Sequence, residues 1–297
     1  MSAVAERVRT SLQVSLGIYE KALRWTGDWD ALFADARAAG FSFIDLSVDE
    51  TPERRARLDW SAETRQQVRD AAARQGIQLG GLCLSVHRGV GPGSADPAVR
   101  AEADRIFARG IDLCQDLGIP VLQVAGYYAY YEPADPGQRE RYVESLRTAI
   151  PRAARAGVLL GIENVDGNDV TSISRGMNIV REIDSPWLQM YPDVGNIAEQ
   201  QLDELEELRA GKGHMLAIHL KDVRVGEPRR VPMGQGIADF PKAFAELARQ
   251  GWSGRMMLEM WNDDAPDSVE RCVEARRIVE GWLDDASFEI VTDTPER

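Results

Sequence analysis

Short apolar runs recur along the chain, each followed by a polar loop and then an amphipathic stretch. Eight such runs stand out: 12–18 (LQVSLGI), 41–48 (FSFIDLSV), 77–86 (IQLGGLCLSV), 119–125 (IPVLQVA), 158–165 (VLLGIENV), 187–194 (WLQMYPDV), 215–220 (MLAIHL) and 255–261 (RMMLEMW). Most are nearly continuous rather than alternating, the pattern of parallel strands covered on both faces. Between them, Trp29, Leu32, Phe33 and Ala36 follow the i, i+3, i+4, i+7 spacing of a helix. So do Val99, Ala103, Ile106, Phe107, Gly110 and Cys114, and later Phe240, Phe244, Leu247 and Ala248. Gly40, Gly76, Gly118, Gly157 and Gly251 stand just before the next apolar run, where a left-handed residue ends a helix most cheaply. Repeated β/α units with short returns and no break in composition predict an α/β fold, a (β/α)8 TIM barrel, rather than an open sheet. The 297 residues suit one such domain. Val269, Cys272, Ala275, Val279 and Trp282 mark the closing helix, and residues from about 286 onward are expected to form a flexible tail.

A barrel of this kind places its active site at the C-terminal ends of the strands. There the fifth run offers Glu163, the sixth Asp193, the seventh His219 and the eighth Glu259. Adjacent strand ends lie about 5 Å apart, so these side chains can converge. A charge within an apolar strand is costly unless it is paired or ligated. One imidazole with three carboxylates suits a divalent metal, Mn2+ first, with Mg2+, Co2+ or Zn2+ as alternatives. The competing reading is four polar residues hydrogen-bonded to their neighbours inside the barrel.

Other features are less decisive. His87 ends the third run and suits either a substrate contact or a satisfied core histidine; His214 falls at the opposite rim and reads as structural. Tyr127, Tyr128, Tyr130 and Tyr131 could wall a sugar site or pack as a surface loop. Gly234-Gln235-Gly236 lacks a preceding strand and reads as the turn before a helix capped by Asp239. The net charge of −13 argues against nucleic acid as a partner. No uncharged apolar run approaches the roughly 18 residues of a membrane span. The first residues, MSAVAERVRTS, do not form a secretory signal, and Cys83, Cys114 and Cys272 show no paired spacing. A cytoplasmic protein is expected.

The stretches GIYEKAL (17–23), DLSVDET (45–51), RLDWS (57–61), CLSVHR (83–88), YPDVGN (191–196), HLKD (219–222), VPMGQGIADF (231–240) and LEMW (258–261) resemble the L-ribulose-5-phosphate 3-epimerase/L-xylulose-5-phosphate 3-epimerase family of xylose-isomerase-like barrels. The resemblance runs from residue 17 to about 282. It implies metal binding by Glu163, Asp193, His219 and Glu259, with Glu163 and Glu259 as the acid/base pair. It also implies a sugar-phosphate substrate met by Tyr19, His87, Arg88, Asn196, Lys221, Arg224 and Trp261, and a homodimer. Where this family carries another basic or aromatic residue after CLSVHR, the chain reads GVGPGS. Related free-ketose epimerases place a histidine where Asn196 stands, which favours the phosphate subgroup. They also use an arginine after the seventh strand, and Arg224 is the nearest basic residue here.

The implied reaction removes the C3 proton to form an enediolate and returns a proton to the other face. Lys221, Arg224, Arg229, Arg230 and Arg88 are candidates for the phosphate, with Lys221 and Arg224 preferred over Arg229 and Arg230. Alternatives on the same scaffold are a free-ketose 3-epimerase, a hexulose-6-phosphate isomerase, a dehydratase and a non-catalytic sugar-binding protein. A DNA-repair endonuclease of the same superfamily would need more than three histidines and a basic face.

Overall fold

The computed structural model describes residues 11–292, so the reading of the first ten residues lies largely outside the described part. Eight parallel strands form the barrel: β1 (Leu12–Tyr19), β2 (Phe43–Ser47), β3 (Gln78–Cys83), β4 (Val121–Ala125), β5 (Leu159–Glu163), β6 (Leu188–Met190), β7 (Ala217–Leu220) and β8 (Gly254–Leu258). The ladder runs β6-β5-β4-β3-β2-β1-β8-β7. It closes between β6 and β7 through the single bridges Met190↔Met215 and Asp193↔His219. Among the described residues ten α-helices accompany the strands: α1 (Trp29–Ala38), α2 (Pro52–Arg55), α3 (Ala62–Gln75), α4 (Pro97–Leu117), α5 (Gln138–Ala156), α6 (Ile173–Ile183), α7 (Val194–Glu199), α8 (Glu204–Ala210), α9 (Phe240–Gln250) and α10 (Ser268–Asp285).

Local chemistry explains these boundaries. Asp96 caps α4 by accepting from the Ala98 N–H, and Pro97 fills the first turn, where no amide donor is needed. The apolar stripe of α4 buries Ile106, Phe107, Ile111 and Cys114 against the strands. Gly76, Gly118, Gly157 and Gly251 end α3, α4, α5 and α9 in the left-handed region, as their spacing predicts. Asp239 caps α9 through the Lys242 N–H.

Two expectations change. The apolar runs extend past the strands, because Ile77, Val158 and Val165 are buried by packing rather than by the ladder. The expected tail is partly ordered: α10 is followed by a ninth strand, β9 (Phe288–Ile290), which pairs with β1 as Leu12↔Phe288 and buries Phe288. Burial of one aromatic ring outweighs the polar character of its neighbours. Residues 293–297 lie outside the described part. Among the described residues no helix is long and apolar enough to cross a membrane, and the three cysteines are buried and unpaired.

Candidate active site

Glu163 is the last residue of β5, and His219 lies inside β7. Glu259 follows β8 directly and extends it, its N–H donating to the Leu220 carbonyl at 2.9 Å. Asp193 lies three residues beyond β6 and caps α7, with Oδ1 accepting from the Asn196 N–H at 3.0 Å. Asn164 fixes that backbone from both sides. Its Oδ1 accepts from the Asp193 N–H and its Nδ2 donates to the Asp193 carbonyl, each at 2.9 Å.

One donor atom from each of Glu163, Asp193, His219 and Glu259 falls within 4.8 Å of the others. His219 Nδ1 is 3.0 Å from Glu163 Oε1 and 3.7 Å from Glu259 Oε2. Lys221 Nζ lies 2.8 Å from Asp193 Oδ2 and 3.6 Å from Glu259 Oε2, and donates to Asn196 Oδ1 at 2.7 Å. Three carboxylates this close repel one another, and the electrostatics record it. Burial alone would depress His219, yet Glu163, Glu259 and Asp193 raise it to about 9. Lys221 is raised in the same way against its burial, chiefly by Asp193. Burial raises Asp193 despite the adjacent Lys221. Glu259 Oε2 is buried without a hydrogen-bond partner. A hard divalent cation matches this donor set, relieving the repulsion and satisfying the orphaned oxygen.

The cluster opens into a cavity of about 310 Å³ at the C-terminal rim, lined in part by Tyr19, Lys21, Arg88, Tyr127, Asn196 and Trp261. Arg88 donates to the Tyr127 hydroxyl at 2.8 Å and to Asp166 Oδ1 at 3.1 Å. Arg229 reaches Asp166 Oδ2 at 3.0 Å, and Tyr127 donates to the same carboxylate. Burial would raise Asp166, but Arg229, Tyr127 and Arg88 hold it below the usual carboxylate range. Tyr19 stands edge-on to Trp261, ring centroids 6.0 Å apart.

Several expectations need correction. His87 makes no approach to the cavity: it is fully buried, its Nε2 is 3.2 Å from the Ala103 carbonyl, and its ring packs 4.3 Å from Phe107. The helical turn Ser85–Arg88 after β3 directs the side chain toward α4, making it a core histidine. Burial depresses it to about 4. Arg224 turns away, held by the Gln235 carbonyl at 3.2 Å and by Glu227, and Arg229 from the same loop lines the cavity instead. Of the four tyrosines after β4 only Tyr127 lines this cavity; Tyr128 packs on Tyr142, and Tyr130 and Tyr131 are exposed. Sequence reasoning missed Lys21, paired with Asp49 at 2.5 Å, although both sit in the GIYEKAL and DLSVDET stretches. It also missed Gln123, which donates to Glu163 Oε2 from the middle of β4. A polar residue within an apolar run was the available signal, the same one that selected Glu163.

The fold is a TIM barrel whose rim carries four residues that could hold a metal ion, and comparison with known proteins agrees on the barrel. The family model described as xylose isomerase-like TIM barrel matches residues 33–284. The chain is 41% identical over 266 residues to L-ribulose-5-phosphate 3-epimerase UlaE of Shigella sonnei, covering 90% of this chain and 94% of the relative. The corresponding Escherichia coli (strain 55989) protein is 40% identical over the same length and the same shares of both chains. The chain therefore belongs to the L-ribulose-5-phosphate 3-epimerase family of xylose isomerase-like barrels. Among solved structures, an L-ribulose 3-epimerase superposes with a TM-score of 0.77 at 20% identity, covering 92% of this chain and 95% of that one. A D-psicose 3-epimerase from Clostridium cellulolyticum reaches 0.76 at 18% identity, covering 91% and 99%. At such identities they speak for the fold alone.

Proposed function

We propose that this chain inverts C3 of a ketopentose 5-phosphate, interconverting L-ribulose 5-phosphate and L-xylulose 5-phosphate. The reading rests on one observation: two glutamates, Glu163 on β5 and Glu259 after β8, stand at the two ends of the strand order in a four-residue cluster with Asp193 and His219. Glu163, Asp193, His219 and Glu259 would hold a divalent ion, Mn2+ before Mg2+, Co2+ or Zn2+. When bound, that ion supplies Lewis-acid stabilisation of negative charge developing on the substrate oxygens.

The protein's own groups do the rest. One glutamate takes the C3 proton, leaving a cis-enediolate, and the other, protonated, returns a proton to the opposite face. Gln123 holds the Glu163 carboxylate in place from β4. Lys221, fixed by Asn196 and Asp193, keeps positive charge beside the developing enediolate. Tyr19 and Trp261 supply apolar walls that shelter the intermediate from water. Arg88 and Arg229 share a single carboxylate, Asp166, so that group keeps one positive charge in excess to offer a phosphate. Lys21 is a further cation on that wall. The same reading takes the chain as one domain, cytoplasmic, with a sugar phosphate as partner, no nucleic-acid or membrane partner, and a homodimeric assembly.

Deuterium wash-in at C3 tests the reaction. Solvent deuterium is expected at C3 of both phosphorylated epimers, and slower incorporation into free ketoses. Exchange at C1 instead, or loss of water from the substrate, would replace the epimerase reading by an isomerase or a dehydratase.

A further inference from the structure

Beneath the cluster, inside the barrel, lies a carboxylate that the proposed reaction does not use. Asp45 points inward from β2 and is fully buried. Its Oδ2 accepts from the Tyr191 hydroxyl at 2.8 Å, while its Oδ1 has no hydrogen-bond partner. His219 is complementary. Its Nδ1 faces Glu163 and Glu259, and its Nε2 is buried with no partner. A ring nitrogen of His219 and a carboxylate oxygen of Asp45 lie within 4.8 Å of each other, in a group that also includes Cys83. The Tyr191 ring meets that of His219 edge-on at 4.3 Å, so one tyrosine steadies both the ring and the carboxylate.

The sequence makes room for this carboxylate. A Cβ placed on Gly80 or Gly81 of β3 would collide with the Asp45 oxygens, so the pair of glycines admits a buried acid where most side chains would exclude it. A buried carboxylate is expensive unless something donates to it, and a buried N–H is costly unless something accepts it. Imidazole can bind a cation through Nδ1 only when its proton sits on Nε2, and that N–H then needs an acceptor.

We propose that Asp45 is a positioning residue that accepts a hydrogen bond from the Nε2–H of His219, fixing the tautomer that leaves Nδ1 free for the cation. This rests on the metal-site reading above.

The test uses the whole protein labelled with 15N-histidine, whose three histidines give a readable long-range 1H–15N spectrum. With diamagnetic Zn2+ bound, His219 is expected as the Nε2–H tautomer, with a proton signal typical of a hydrogen bond. Calorimetric Mn2+ titrations are expected to show about 10-fold weaker binding for Asp45→Asn, which keeps an acceptor oxygen, and about 100-fold weaker for Asp45→Leu, which keeps none. The hydrogen-bonded proton should survive in the first variant and vanish in the second. Unchanged Mn2+ affinity in both variants, or a metal-loaded wild type with its proton elsewhere, overturns the inference while leaving the metal site standing. Because the tautomer is read on the wild type, the result holds even if a variant fails to fold. A wild type that binds neither Mn2+ nor Zn2+ overturns the site reading and this inference together.

Discussion

The two halves of the rim are built differently. From β5 to β8 the rim carries Glu163, Asp193, His219 and Glu259, drawn together closely enough to perturb one another. From β1 to β4 it carries Tyr19, tied to Ser47, Lys21, tied to Asp49, and Arg88 and Tyr127, which share Asp166. In the first half like charges are held in contact by the fold; in the second, cations are spread out and each sits against a carboxylate. Converging like charges suit a bound ion, whereas separate ion pairs can exchange a protein carboxylate for a substrate anion. On the proposed reading, reaction belongs to the β5–β8 half, while recognition starts from the β1–β4 half and is completed by Arg229, which reaches Asp166 from the loop after β7.

The most severe break of that contrast is removal of an acid/base group. Glu163→Gln and Glu259→Gln are each expected to lower kcat by at least about 10³-fold with the fold intact, as initial rates and circular dichroism would show. Near-normal turnover in either variant would remove the two-base scheme. On the recognition side the effect should be smaller and fall on a different parameter. Arg88→Ala is expected to raise KM for the phosphorylated ketose about 10- to 100-fold with kcat nearly unchanged, and to leave the turnover of free ketoses as it was. An equal loss on both substrates would place Arg88 in the fold rather than at the phosphate.

His87 separates rim from core within the β1–β4 half. Its native pKa, about 4, lies below the ordinary histidine value of 6.5, so the unfolded chain takes up the proton first as pH falls. Its contribution to stability is therefore complete above about pH 6.5 and is lost progressively toward pH 4, by about 3 kcal/mol in all. Urea unfolding across that window should show the slope, and His87→Phe should flatten it. An unchanged slope would mean that other groups carry the acid sensitivity.

The barrel and the quartet were legible because both rest on strong local signals. Continuous apolar runs specify parallel strands, and charges embedded in such runs stand out. Asp193 was found although it caps α7 beyond the end of β6, since the turn carries it to the same rim. What stayed hidden depends on direction rather than identity. His87 and Arg88 are adjacent in the chain, yet the short helical turn at Ser85–Arg88 aims the first into the core and the second into the cavity. Arg224 and Arg229 share one loop, and only its folded path decides which of them reaches the site. Asp222 organises that path, accepting from the Gly234 and Gly236 N–H groups at 2.8 Å, a role set by tertiary contacts. Phe288 was read as tail because a three-residue strand with one buried aromatic leaves almost no periodicity to detect.

The central claim is that Glu163, Asp193, His219 and Glu259 share a single ion. Calorimetric titration of EDTA-treated protein with Mn2+ tests it directly, with Asp193→Asn run alongside. One ion per chain is expected for the wild type, with binding severely weakened in the variant and activity returning in step with occupancy. Full activity in the metal-free protein, or Mn2+ binding that is indifferent to Asp193→Asn, would contradict it.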